Sequence, residues 1–232
     1  MAERIKVLVL DDDPTGSQTV HSCPLLLRWD EDSLRHGLAH PSTLLFLLAN
    51  TRALAPSAAE ERVRSVCQAL KPALAEAQAA GTIDRWLVLS RGDSTLRGHF
   101  PLELKVMEQE LGPFASTLLV PAFLPGGRTT KDGMHLLHGE PVHATAFAQD
   151  RLFGFTSSFL PAWVEEKTDG KTLAASVQQI SCCDLEAAPE ALRQRLSALP
   201  PASIACVDAD QDRKSTRLNS SHSSVSRMPS SA

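Results

Sequence analysis

The 232-residue chain lacks any long hydrophobic run. Its longest apolar stretches, such as Leu44–Ala49 and Val7–Leu10, fall far short of the about 20 residues a membrane-spanning helix needs. No basic n-region followed by an apolar core opens the sequence, so secretory export is not expected and the predicted location is cytoplasmic. Positive charge is not in excess. The net charge is −4 and no basic patch is interleaved with aromatic residues, which argues against a nucleic-acid binder. Cysteine is badly spaced for metal binding. Cys23, Cys67, Cys182, Cys183 and Cys206 are odd in number and read as reduced cytosolic thiols, with the adjacent Cys182 and Cys183 expected to be buried in packing. Nucleotide signatures are missing too. There is no GxxxxGK[ST] and no GxGxxG, and Gly126-Gly127-Arg128-Thr129-Thr130 only faintly resembles a phosphate loop. The histidines form neither HExxH nor HxH, and His135, His138 and His143 read as loop or packing residues.

What is present is a globular composition, 43% hydrophobic and 22% charged, long enough for one large α/β domain or two small ones. Short aliphatic runs alternate with helical patterns. Strands are expected at Ile5–Leu10, Pro24–Trp29, Ser42–Ala49, Trp86–Leu89, Thr117–Val120 and Ile204–Val207. Helices are expected at Asp30–Leu38, from Ser57 to about Ala80 with Ser57 and Glu60 as a capping box, and over Pro101–Leu111, Lys171–Gln179 and Pro189–Leu199. This alternation predicts an α/β fold: a mostly parallel, Rossmann-like sheet with helices on both faces. Residues 126–155 break the pattern and read as a β-hairpin or irregular excursion, with a turn at Gly139-Glu140-Pro141.

The final stretch, 211–232, is of another kind. From Asp212 onward it holds eight serines and no aromatic residue, with Leu218, Val225 and Met228 as its only large apolar side chains, so it is expected to be disordered. The string DRKSTRLNSSH matches what common sequencing-adapter DNA encodes in one frame. The segment is therefore expected to be an assembly artefact rather than part of the natural chain.

Polar clusters follow the strands, and in open α/β sheets ligands bind outside the carboxyl ends of strands. Loops 11–18, 50–54, 90–98 and 121–132 are therefore expected to converge on one site. Asp11-Asp12-Asp13 places three mutually repelling carboxylates at a strand end, suited to bind Mg²⁺, to act as a base toward a hydroxyl or to hydrogen-bond a polyol. The Thr15-Gly16-Ser17 turn that follows offers amides that can approach a ligand closely. In Ser90–Gly98, Asp93, Ser94 and Thr95 supply hydrogen-bonding groups and Arg97 can grip a carboxylate or phosphate bidentately. Asn50-Thr51-Arg52 adds a second anion-binding arginine. One reading of these residues is a Mg²⁺-dependent phosphatase. VLVLDDDPT fits the strand-then-DxDxT pattern of haloacid-dehalogenase-like enzymes, with Asp11 as nucleophile, Asp13 as acid/base and Thr51 as a second hydroxyl. The late paired-acid motif is matched only loosely, by Asp208 and Asp210.

A broader pattern runs along the chain: DDPTGS at 12–17, NTRAL at 50–54, GDSTLRG at 92–98, PAFLPGGRTTKDG at 121–133, GEPVHATAFAQD at 139–150 and VDA at 207–209. This succession resembles the N-terminal, sugar-binding domain of the four-carbon acid sugar kinase family, essentially over residues 5–210, and the domain is expected to span 1–210. The resemblance implies an ATP- and Mg²⁺-dependent phosphotransfer to a hydroxyl of a threonate, erythronate or keto-tetronate type acid. It implies that Asp12, Asp13, Thr15 and Gly16 hold the sugar hydroxyls, with Asp13, assisted by Asp12, as the catalytic base. Asp93, Ser94, Thr95, Arg97 and Gly98 complete the site, Arg97 pairing with the substrate carboxylate and Arg52 and Arg128 as further contacts. The family binds nucleotide in a separate C-terminal domain, a partner missing here, so the chain is expected to be inactive alone. A non-catalytic sugar-acid-binding module is the remaining alternative.

Overall fold

The computed structural model describes residues 3–16 and 20–210; Ser17 and the 211–232 tail lie outside the described residues. The first sheet is built from β1 (Ile5–Asp11), β2 (Leu25–Leu26), β3 (Leu44–Leu48) and β4 (Arg85–Arg91), in the order β2-β3-β1-β4 and parallel throughout. Parallel pairing needs crossovers, and helices provide them. These are α1 (Glu31–Ala39), between β2 and β3, and α2 (Pro56–Ala79), between β3 and β4. Along α2 the buried residues Ala59, Val63, Val66, Cys67, Leu70, Leu74 and Ala77 recur at helical spacing, forming one apolar stripe. That stripe meets Leu8, Leu10, Leu45 and Leu47 of the sheet, together with Leu34 and Leu38 of α1 and Val106 and Met107 of α3 (Leu102–Leu111). Trp86 and Val88 of β4 join this core, whereas the odd-numbered Leu87 and Leu89 turn away and are 58% and 47% exposed.

The second sheet is also parallel. β10 (Ser203–Val207) lies between β5 (Ser116–Leu119) and β9 (Gln178–Ile180). The mostly parallel α/β architecture is the expected one, but it is divided in two, because β5 pairs with β10 rather than with β4. Helix α4 (Leu160–Lys167) covers this second half through Leu160, Trp163 and Val164. The excursion at 126–155 is an antiparallel sheet of β6 (Arg128–Lys131), β7 (Met134–Leu137) and β8 (Glu140–Pro141), followed by 3₁₀ turns at Val142–Ala144 and Ala146–Gln149. The sheet turns at Asp132-Gly133, whose amides donate to Asp208 just after β10 at 2.9 and 3.0 Å, and again at His138-Gly139, so of the expected Gly139-Glu140-Pro141 turn only Gly139 is in the turn and the other two form β8.

Three local expectations are corrected. Helix α2 starts at Pro56 with Ala55 as its N-cap, and no side chain caps it. Proline at the first helical position presets the dihedral and starts the helix ahead of Ser57. Lys171–Gln179 is not helical. It holds a short 3₁₀ turn, Ala174–Ser176, and then β9, which forms by pairing with the sequence-distant β10. Cys182 and Cys183 open the short helix α5 (Cys182–Glu186), where a Ser181–Asp184 capping box sets the start, and Cys183 is exposed rather than packed. Helix α6 (Pro189–Ser197) is as expected. Among the described residues no helix is long and apolar enough to cross a membrane.

Candidate functional site

Strands β1, β3 and β4 end side by side, with Asp11 opposite both Leu48 and Arg91. The chain therefore delivers three loops to one edge of the first sheet. Backbone bonds fix them together: the Asp12 amide donates to the Arg91 carbonyl, and the Arg52 amide donates to the Asp12 carbonyl. The side chains follow. Arg52 donates through Nε and Nη2 to the two oxygens of Asp12, at 2.9 and 2.6 Å, and its Nη1 lies 3.5 Å from Asp13. Arg91 pairs with Asp11 at 3.2 Å. Arg97 places Nε and Nη2 on a single Asp93 oxygen, at 2.6 Å each, and lies over the Phe147 ring at 4.8 Å.

The three adjacent aspartates are thus in three environments. Asp11 has no exposure and its Oδ2 has no partner among the described residues. Burial raises its pKa against the pull of Arg91. Asp12 is 2% exposed. Burial pushes its carboxyl up to about 6 against the bonds from Arg52, with Glu103 and Asp11 pushing the same way. Asp13 is the accessible one. The hydroxyl and amide of Thr15 hold it below the ordinary carboxylate range, so it stays ionised at neutral pH. Asp93 is also held low. Burial pushes it up, but hydrogen bonds from Thr95 and Arg97 outweigh that.

Two glycines are constrained, Gly16 by space and Gly98 by its backbone conformation. A Cβ on Gly16 would lie 1.8 Å from Arg91 Nη1 and 2.2 Å from Asp11 Oδ1. Gly98, at φ +157°, brings its backbone beside Asp12, where a Cβ would lie 3.6 Å from Oδ2. Asp12, Asp13, Thr15, Gly16 and Arg52 are thus joined to Asp93, Thr95, Arg97 and Gly98, through Gly98 beside Asp12 and through Arg52, which Asp12, Asp13 and Asp93 all attract. Ser94 joins through its carbonyl, 2.7 Å from His135 Nε2, so the hairpin packs on the 93–98 loop. Arg128 bonds the Gly126 carbonyl and faces Phe123, with no bond to the aspartate cluster among the described residues. Among the described residues no cluster of three or more His, Cys, Asp or Glu could hold a metal ion.

The sequence reading missed Glu103, His99 and Phe147. Glu103 is 6% exposed and accepts the hydroxyls of Thr51 and Ser90 at 2.5 and 2.7 Å; His99 Nε2 lies 3.0 Å from the Thr51 carbonyl. These partners are far apart in sequence, and no local spacing announces them.

The raised Asp12 pKa makes a prediction. In the folded chain this group holds its proton to about pH 6, against 3.8 unfolded, so the folded state binds more protons between those values. Its contribution is therefore most favourable below the unfolded value and is lost as pH rises toward 6. Asp13 and Asp93 act oppositely, losing stability as pH falls through their depressed values. Denaturant unfolding of the chain and of Asp12→Asn across this range should show the unsubstituted chain losing stability relative to the variant as pH rises. A difference independent of pH contradicts the assignment.

The chain matches the sugar-binding N-terminal domain family over residues 7–228. It is 30% identical over 155 residues to a D-erythronate kinase of Heliobacterium modesticaldum, covering 62% of this chain and 32% of that protein. It is 29% identical over 192 residues to a D-threonate kinase of Bordetella bronchiseptica, covering 81% of this chain and 40% of that protein. The chain thus spans less than half the length of these curated relatives. Among solved structures, a domain of unknown function from Bordetella bronchiseptica, a domain-swapped dimer with bound citrate, superposes with TM-score 0.63 at 25% identity, covering 91% of this chain and 49% of that one. A Haemophilus influenzae protein shares the fold at TM-score 0.61 and 16% identity, covering 92% of this chain and 50% of that one.

Proposed function

The chain belongs to the four-carbon acid sugar kinase family, as its sugar-binding N-terminal domain, and from that premise we propose that it is the substrate-binding half of an ATP-dependent kinase acting on a hydroxyl of a four-carbon sugar acid, of threonate, erythronate or keto-tetronate type. The observation that carries this reading is the pair of Asp–Arg couples, Asp12–Arg52 and Asp93–Arg97, at adjacent strand ends. Such couples present acceptors for a polyol and cations for a carboxylate at the same edge. The citrate in the Bordetella structure is a polycarboxylate with a hydroxyl, which fits this chemistry.

In this reading Asp13 is the base. It is the exposed aspartate of the three, and it is held ionised by Thr15. It orients the attacking hydroxyl and takes its proton. Thr15 and Gly16 hold the neighbouring hydroxyls, the buried Asp12 acts by holding Arg52, Arg97 takes the substrate carboxylate with Arg52 beside it, and Asp93, Ser94, Thr95 and Gly98 complete that side of the site. Arg128 is kept as a further substrate contact by resemblance alone. In this reading ATP and Mg²⁺ would supply the transferred phosphoryl group and its charge stabilisation, while the residues named here bind and orient the sugar acid.

The test is ADP formation by the full-length gene product supplied with ATP, Mg²⁺ and D-erythronate or D-threonate. ADP formation that depends on the acid, and is lost with Asp13→Asn, is the expected result. Sugar-acid binding without ADP would make the protein a binding module. Release of phosphate from a simple phosphate ester would replace the reading with a phosphatase.

A further inference from the structure

We propose that Glu103 is the positioning residue of this site: from the first turn of α3 it ties the ends of β3 and β4 together behind Asp12 and keeps Arg52 in register with that carboxylate. Both of its oxygens are used. One accepts the Thr51 hydroxyl at 2.5 Å, the other the Ser90 hydroxyl at 2.7 Å, in a side chain only 6% exposed. Thr51 immediately precedes Arg52, and Ser90 immediately precedes Arg91. One buried carboxylate thus fixes the residues next to both arginines that pair with Asp12 and Asp11. His99, also buried, adds a tether by reaching the Thr51 and Leu54 carbonyls at 3.0 and 3.1 Å. A carboxylate is favoured at the N-terminal turn of a helix, which offsets part of the cost of burying this one.

Glu103 is buried with both oxygens engaged by hydroxyls, so it acts through other groups. The charges bearing on Asp12 are Asp11 from its own strand end, Arg52 from the loop after β3, which Asp13 and Asp93 also attract, Arg91 through Asp11 from β4, and Glu103 from α3. Glu103 is the one that both raises the proton affinity of Asp12 and, through Thr51, holds the arginine that lowers it. The two effects have opposite signs and can be separated. The inference rests on the sugar-acid reading only for what the Asp12–Arg52 pair would grip.

The test is a carbon-13 NMR titration of the Asp12 carboxyl in the unliganded chain, assigned with Asp12→Asn, with folding checked by thermal melts. Glu103→Gln keeps the shape and removes the charge, its amide oxygen accepting one of the two hydroxyls and its amide nitrogen donating to the other. It should lower the Asp12 midpoint by about half a pH unit, the effect of losing one nearby like charge in a partly buried site. Thr51→Val keeps the charge but cuts the tether, and should raise the midpoint as Arg52 loosens. A midpoint unchanged in folded Glu103→Gln overturns the proposal. If Glu103→Gln does not fold, Thr51→Val decides: a raised midpoint supports the proposal and an unchanged one overturns it. No sugar is present in this titration, so a failure of the sugar-acid reading would appear elsewhere, as absent binding.

Discussion

Arg52→Ala is expected to destabilise the chain by about 3 kcal/mol at pH 8, the cost of stripping one partner from a buried ion pair. Arg52 supplies two hydrogen bonds to a carboxylate that is 2% exposed. Without it, the Asp12 charge is left in a low-dielectric setting with Asp11, Asp13 and Glu103 nearby. At pH 4 the same variant should lose much less, because Asp12 with its raised pKa is then protonated in the fold and needs no counter-charge. Denaturant unfolding at the two pH values checks this. Equal losses at both would mean that Arg52 contributes by packing and not by pairing.

Arg97→Ala should weaken binding of D-erythronate or D-threonate by about 10- to 100-fold, the range of a charge-assisted contact. The structure explains why this arginine is prepared to bind. Asp93 takes Nε and Nη2 on one oxygen, and the Phe147 ring supports the guanidinium face. The side chain is thereby ordered before ligand arrives, while Nη1 has no hydrogen-bond partner among the described residues and the side chain remains 30% exposed. Arg97→Lys should not restore affinity, since a point charge cannot reproduce the planar fork. Calorimetric titration of the variants gives the answer. Unchanged affinity in Arg97→Ala would remove Arg97 from the site.

Much of the site was legible because its residues sit in short motifs directly after aliphatic strands. Asp12, Asp13 and Thr15 follow β1, Arg52 follows β3, and Asp93 to Arg97 follow β4, so strand recognition alone points to one sheet edge. What the motifs could not convey was the difference among three consecutive aspartates. Burial separates Asp11 and Asp12 from Asp13, and burial depends on how β3 and β4 flank β1. Glu103 was invisible for the same reason. In sequence it is one acid in an ordinary helix, and its partners Thr51 and Ser90 are 52 and 13 residues away. The missed strand β9 shows the same limit in the fold, since three residues become a strand only because β10 lies beside them. Conversely, the start of α2 was misread although the signal was local. Pro56 outranks the Ser57–Glu60 box.

The central claim is that this sheet edge recognises a sugar acid through its hydroxyls and its carboxylate together. The most direct test is a calorimetric titration of the chain with D-erythronate and D-threonate, beside the uncharged alcohols erythritol and threitol. The account predicts weak but saturable binding of at least one acid, no detectable binding of either alcohol, and loss of the signal in Arg97→Ala. Binding of the alcohols as tight as the acids, or no binding of either acid by the folded chain, would contradict it.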